Sequence, residues 1–191
     1  MRSPVIAVVG GGGGTVLLGS AVYELVAEVG WRFAEAGAVL LCGGGGGVME
    51  ALVVAARAAG GHMVGVLLSW GPANLGIEHA VFTGMGSGCN YLNAAVVDAM
   101  IVFCGEAGTL SEVALAIKVG TPVVYLDAWS FLNDHGLPPR PHVTTPRAAI
   151  DEAFRLLGLR PGERLDRPLK RPSVPDQTGN LEKLARVVER W

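Results

Sequence analysis

Three glycine-rich stretches carry the residues best suited to chemistry: Gly10 to Gly14, Gly43 to Gly47, and Gly105-Glu106-Ala107-Gly108. Each follows a short apolar run. Backbone N–H groups in such turns can approach an anion with no side chain in the way, and the first turn of a following helix adds its positive dipole end. The chemistry on offer is capture of a phosphate by backbone, with Gly11, Gly12, Gly43, Gly44, Gly45, Gly47, Gly105 and Gly108 as the cradle and Thr109 adding a hydroxyl. The competing explanation is that glycine only allows tight turns and close helix–sheet packing. One cluster alone favours packing; three at successive strand ends favour a ligand.

Glu112 is an acid three residues after Thr109 in a stretch with two readings, one toward a ligand and one toward the helix itself. Thr109-Leu110-Ser111-Glu112 is equally a capping box, with Thr109 capping a helix and Glu112 reaching back to the cap N–H. Asn90 and Asn93 line the ligand or cap a helix of their own, and Asp98 fixes the loop before its strand. Trp70 could stack on a planar ring or serve as core or interface. Cys42, Cys89 and Cys104 lack CxxC spacing, so no metal site is expected and a reducing compartment fits.

Several familiar sites are excluded. No G-x-G-x-x-G occurs, and the second strand ends in Cys42 where an acid would hold a ribose diol, so an ordinary NAD site is disfavoured. There is no G-x-x-x-x-G-K-[ST] and no G-x-S-x-G elbow.

The elements that must position these residues alternate. Val5–Val9, 38–42, 63–68, 80–83, 100–104 and 123–126 read as strands, the last being the final one. Helices are expected over 22–37, 48–59, 90–97, 109–119 and 150–157. Continuous apolar strands alternating with helices predict a Rossmann-like, doubly wound parallel sheet in a three-layer α/β/α sandwich. Residues 1–158 are expected to form this phosphate-binding domain. Residues 159–191 read as a Pro/Arg-rich strap and a C-terminal helix, packed on the domain or on a partner subunit.

Composition narrows the partners. Of 191 residues, 28 are glycine and half are hydrophobic, which fits neither collagen nor a linker. Residues 1–139 hold four basic groups against ten acidic ones, whereas 140–191 hold eleven against seven. The body therefore cannot build the basic face that nucleic acid requires. No apolar run approaches the ~18 residues of a membrane span, and a cytoplasmic location is expected.

At Gly43, Gly44, Gly45, Gly47 and Met49, and again at Gly105, Gly108, Thr109 and Glu112, the sequence resembles the Lonely Guy (LOG) family of nucleoside 5′-monophosphate phosphoribohydrolases. It is more similar still to the related molybdenum cofactor carrier proteins. The likeness spans residues 5–127 in the same motif order, with Asn90, Asn93 and Asp98 between. It implies a Rossmann-like fold, a homo-oligomer (dimer or tetramer), and a site for a phosphorylated small ligand, either a nucleotide or a molybdopterin-type cofactor. No required cofactor is implied. In the family's hydrolases an Arg just before the Asn and the Glu of GTxxE form the catalytic pair, so the resemblance implies Glu112 as the catalytic residue, its carboxylate stabilising the oxocarbenium character that develops when an N-glycosidic bond breaks. Here Cys89 stands at the Arg position, Glu106 replaces the second glycine of PGG, and Cys104 replaces its proline. Cysteine cannot clamp a phosphate as the planar Arg fork does. Binding without turnover is therefore the leading expectation; the alternatives are phosphoribohydrolase activity and a non-catalytic scaffold with a decayed site.

Overall fold

The computed structural model describes residues 1–71, 76–129 and 140–166. Its strands are Val5–Val9 (β1), Val39–Cys42 (β2), His62–Leu67 (β3), His79–Phe82 (β4), Ala99–Val102 (β5), Val123–Leu126 (β6) and His142–Val143 (β7). Its helices are Ala21–Glu35 (α1), Val48–Ala58 (α2), Cys89–Ala95 (α3), Ala107–Val119 (α4) and Pro146–Leu156 (α5). The strands form one sheet in the order β4-β3-β2-β1-β5-β6-β7, and every neighbouring pair is parallel.

Strand alternation divides the core into two layers. Ile6, Val8, Ile101, Val124 and Leu126 point to one face, under α1, α2 and α5. Ala7, Val9, Met100, Val102 and Tyr125 point to the other, under α3 and α4. Both faces are covered, which is why the strands carry almost no polar residues.

The sequence of connections reverses between β1 and β5. β1 pairs with β2 on one side and with β5 on the other, so the loops after these strands diverge and leave a crevice at their carboxyl ends. At the opposite end, the Asp98 carboxylate accepts two bonds from the Arg2 guanidinium, both 2.6 Å, and one from the Val5 N–H at 2.8 Å. That cluster ties β1 to the start of β5.

Two expectations need correction. Val123–Leu126 is not the final strand, because His142–Val143 adds to the sheet edge beside it; two residues are too few to show a period. The last helix of the domain starts at Pro146, earlier than its apolar pattern suggests. Thr145 caps it, accepting from the Ala148 N–H at 3.2 Å, and Pro146 sits at its first turn. Of the expected strap, Leu165 bonds both ways with Arg2, and the helix expected at 181–191 lies outside the described residues. Among the described residues, no helix is long and apolar enough to cross a membrane.

Candidate functional site

The crevice at the ends of β1 and β5 is a cleft of about 220 Å³. Three loops build its walls. Gly10 to Gly12 follow β1, Gly43 follows β2, and Glu106 with Gly108 and Thr109 open α4. Cys89, Asn90 and Asn93 enter from α3, and Glu112 on α4 completes the lining.

The loops are fastened to one another through backbone. The Gly11 N–H donates to the Cys104 carbonyl at 2.7 Å, and the Val48 N–H donates to the Gly11 carbonyl at 3.0 Å. The first bond ties the β1 loop to the end of β5, and the second ties it to the start of α2. A Cβ on Gly47 would lie 2.5 Å from the Gly11 carbonyl oxygen, and its φ is +68°. The two pentaglycine runs therefore touch where no side chain fits.

This packing separates the expected cradle residues into two groups. Gly11, Gly12, Gly43, Met49, Asn90, Asn93, Gly108, Thr109 and Glu112 come together around the cleft. Gly44, Gly45, Gly47 and Gly105 do not line it. Gly44 and Gly47 are buried at positive φ, and a Cβ on Gly105 would run into the Thr109 side chain. Their glycine character serves turns and close approach. Gly12 and Gly108 are different: neither has a positive φ, and an added Cβ would meet nothing within 4 Å.

The capping box is not formed. α4 begins at Ala107 with Glu106 at the cap position, and the Glu106 side chain makes no cap bond. Thr109 is thus already the third helical residue. The first turn of α4 leaves its leading N–H groups without intrahelical acceptors, next to the cleft.

Glu112 turns instead to α3. Its Oε1 accepts from Asn93 Nδ2 at 2.8 Å. Burial pushes the Glu112 carboxyl up to about 7, and the Asn93 bond opposes the rise only in part. Asn93 is 1% exposed, and its Oδ1 is buried with no hydrogen-bond partner. Asn90 is committed to the helix start: its Nδ2 donates to Ser111 Oγ at 2.5 Å, and Ser111 Oγ donates to the Gly108 carbonyl at 2.8 Å. It braces α4 against α3.

No lysine, arginine or histidine is among the described residues that line the cleft. Arg2 is engaged at the far end of β1, Arg32 pairs with Glu28, and Arg57 lies near Glu78 beside β4. Burial raises the thiols of Cys42, to about 11, and of Cys89, and the nearby Glu112 adds to both shifts. Among the described residues, no group of three His, Cys, Asp or Glu side chains could hold a metal ion. Trp70 is 79% exposed and stacks on Phe82 with ring centroids 5.2 Å apart, outside the cleft lining.

Sequence reasoning missed Val8, Val9, Leu68 and Ser87 as lining residues, whose types and spacing form no motif, whereas Gly10 belongs to the first glycine run.

Comparison with known proteins agrees with this architecture. The pattern of the SLOG cluster4 family matches residues 3–149. The molybdenum cofactor carrier protein of Chlamydomonas reinhardtii is 30% identical with a TM-score of 0.75, over 82% of this chain and 99% of that one. The molybdenum cofactor binding protein of Rippkaea orientalis is 29% identical with a TM-score of 0.71, over the same shares. DNA processing protein A of Streptococcus pneumoniae, at 20% identity and a TM-score of 0.60, shares the fold over 78% of this chain and 62% of its own. No curated protein matches the chain.

Proposed function

We infer a function from one premise, that this chain belongs to the SLOG cluster4 family: it binds a phosphorylated small ligand, a nucleotide or a molybdopterin-type cofactor, and holds it without turnover. The observation that carries the reading is glycine at positions 12 and 108. Both line the cleft at ordinary backbone angles, and a Cβ at either would meet no protein atom. Neither strain nor packing explains them. A ligand pressed against the backbone does, and Gly108 stands in the first turn of α4, where free N–H groups and the helix dipole favour an anion. Similarity to the carrier of Chlamydomonas reinhardtii supports the same reading.

The residues present suit the phosphate end of such a ligand. The phosphate would rest on the N–H groups around Gly12, Gly108 and Thr109, while Asn93 and Glu112, one helical turn further along, would face the part of the ligand next to it. These residues bind and orient; the absence of cations among the described lining residues leaves the anion to backbone dipoles. In this reading the protein is a cytoplasmic homo-oligomer, a dimer or tetramer. Residues 159–191 strap the domain or a neighbouring subunit.

A second reading, N-glycosidic hydrolysis of a nucleoside monophosphate, is favoured by one observation: the Glu112 carboxyl, held up at about 7, can exchange a proton near neutrality. Titration with AMP, GMP and molybdopterin, followed by chromatography of the recovered ligand, tests both. Saturable binding with the ligand intact supports the carrier. Free base that disappears in Glu112→Ala establishes the hydrolase. No affinity for these ligands or for inorganic phosphate overturns both.

A further inference from the structure

The two sides of the sandwich differ in what their helices show to solvent. α1 and α5 carry charged pairs on their outer faces: Glu28 with Arg32, Arg147 with Asp151, and Glu152 with Arg155. α4 is apolar around almost its whole circumference, and a helix of that kind belongs in an interior. Its charged residues are Glu112, which bonds to Asn93, and Lys118 in the last turn. Ala107, Leu110, Ala114 and Lys118 recur at helical spacing, and all four are exposed. Beside this stripe α3 carries no charge, and its Tyr91 is left 39% exposed, much as Leu110 is at 41%. Val81 on the edge strand β4 is 50% exposed and extends the apolar surface on the same side, next to Val66.

We propose that a second copy of this chain docks on the α3–α4 face, its α4 antiparallel to the first about a two-fold axis midway along the helix. The charges at the ends of α4 favour this occupant. Glu106 precedes the first turn and Lys118 lies in the last, both exposed and about 18 Å apart along the helix at 1.5 Å per residue. A two-fold axis midway between them sets each copy's Glu106 against the partner's Lys118. The same operation lays Leu110 of one copy over Ala114 of the other, a large side chain above a small one. Between the two ends the exposed stripe is uncharged, so no like charges meet at its centre. Glu106 also lines the cleft, and pairing with the partner's Lys118 offsets the repulsion it exerts on an anion there. The inference rests on the homo-oligomer read above, and it names the face and the axis.

The test is sedimentation of the full chain beside Ala114→Arg, Lys118→Glu, and Lys118→Glu combined with Glu106→Lys. The unmodified protein is expected at twice the 19.8 kDa chain mass, or at four times if a second interface is present. Ala114→Arg brings an arginine from each copy close to the axis and is expected to raise the dissociation constant about a hundredfold or more. Lys118→Glu is expected to weaken association about tenfold, because the axis counts each change twice, and the added Glu106→Lys to restore most of it. Ala114 is exposed and arginine is a good helix former, so urea melts should show that variant folded. Should it fail to fold, the charge exchange decides alone. A tetramer that Ala114→Arg reduces to dimers supports the proposal. An assembly unchanged by Ala114→Arg or by Lys118→Glu overturns the proposed face and leaves the homo-oligomer standing. A loss in Lys118→Glu that Glu106→Lys does not restore overturns the antiparallel pairing. A monomer overturns both the proposal and the homo-oligomer.

Discussion

Replacing Glu112 by Gln should change how stability depends on pH, and the size of the change follows from the site. In the unfolded chain the carboxyl titrates at its ordinary 4.5, whereas in the folded protein burial holds it at about 7. Below the lower value both states are protonated and folding carries no penalty. Between the two, the unfolded chain ionises while the folded one keeps its proton, so stability falls as pH rises. Above the upper value the full penalty is present, about 3 kcal/mol, because each pH step between the two values costs about 1.4 kcal/mol. Gln cannot ionise, and its amide oxygen can still accept from Asn93. Urea denaturation of both proteins from about pH 4.5 to about pH 8 should therefore show the unmodified protein losing about 3 kcal/mol relative to Glu112→Gln. Differences from other titrating groups cancel in the comparison. Parallel profiles, within about 1 kcal/mol across the range, would refute the claim that Glu112 is held protonated by burial.

Other perturbations separate the roles of the glycines and the framework. Gly108→Ala should leave unfolding stability unchanged or raise it by about 0.5–1 kcal/mol, as expected for Gly to Ala in a helix. The same change should weaken binding of a phosphorylated ligand about tenfold, measured by titration; unchanged affinity would remove the main support for the cleft as the site. Gly47→Ala, in contrast, meets the Gly11 carbonyl and a positive φ, so a loss of about 2 kcal/mol or more is expected in urea melts. Asp98→Ala strips the buried partner from Arg2 and from the Val5 N–H, with an expected loss of about 2–4 kcal/mol and no change in ligand preference.

Much of the fold is legible in the sequence because it is written in local periodicity. Apolar runs alternate with helical patterns from Val5 to Leu126, and a buried parallel sheet is the physical outcome of that pattern. Within the site, the glycine loops, Asn93 and Glu112 stand out by residue type. A run of five identical glycines, however, carries no mark of which member faces a ligand. Only the packed loops show that Gly47 touches Gly11 while Gly12 faces open space. The capping-box pattern at Thr109 failed for a related reason. The helix starts at Ala107, two residues before Thr109, and Glu112 accepts from Asn93 on α3 in place of a local cap N–H.

The sequence by itself determined the architecture, the position of three backbone-rich turns at strand ends, and the scarcity of cations in residues 1–139. These depend on residue type and short-range spacing. The tertiary structure decided what those turns surround: a cleft at the point where the sheet's connections reverse, with a protonatable carboxyl hydrogen-bonded to a buried asparagine. Burial and partnership arise between segments distant in the chain, Asn93 on α3 and Glu112 on α4, and no local pattern encodes them.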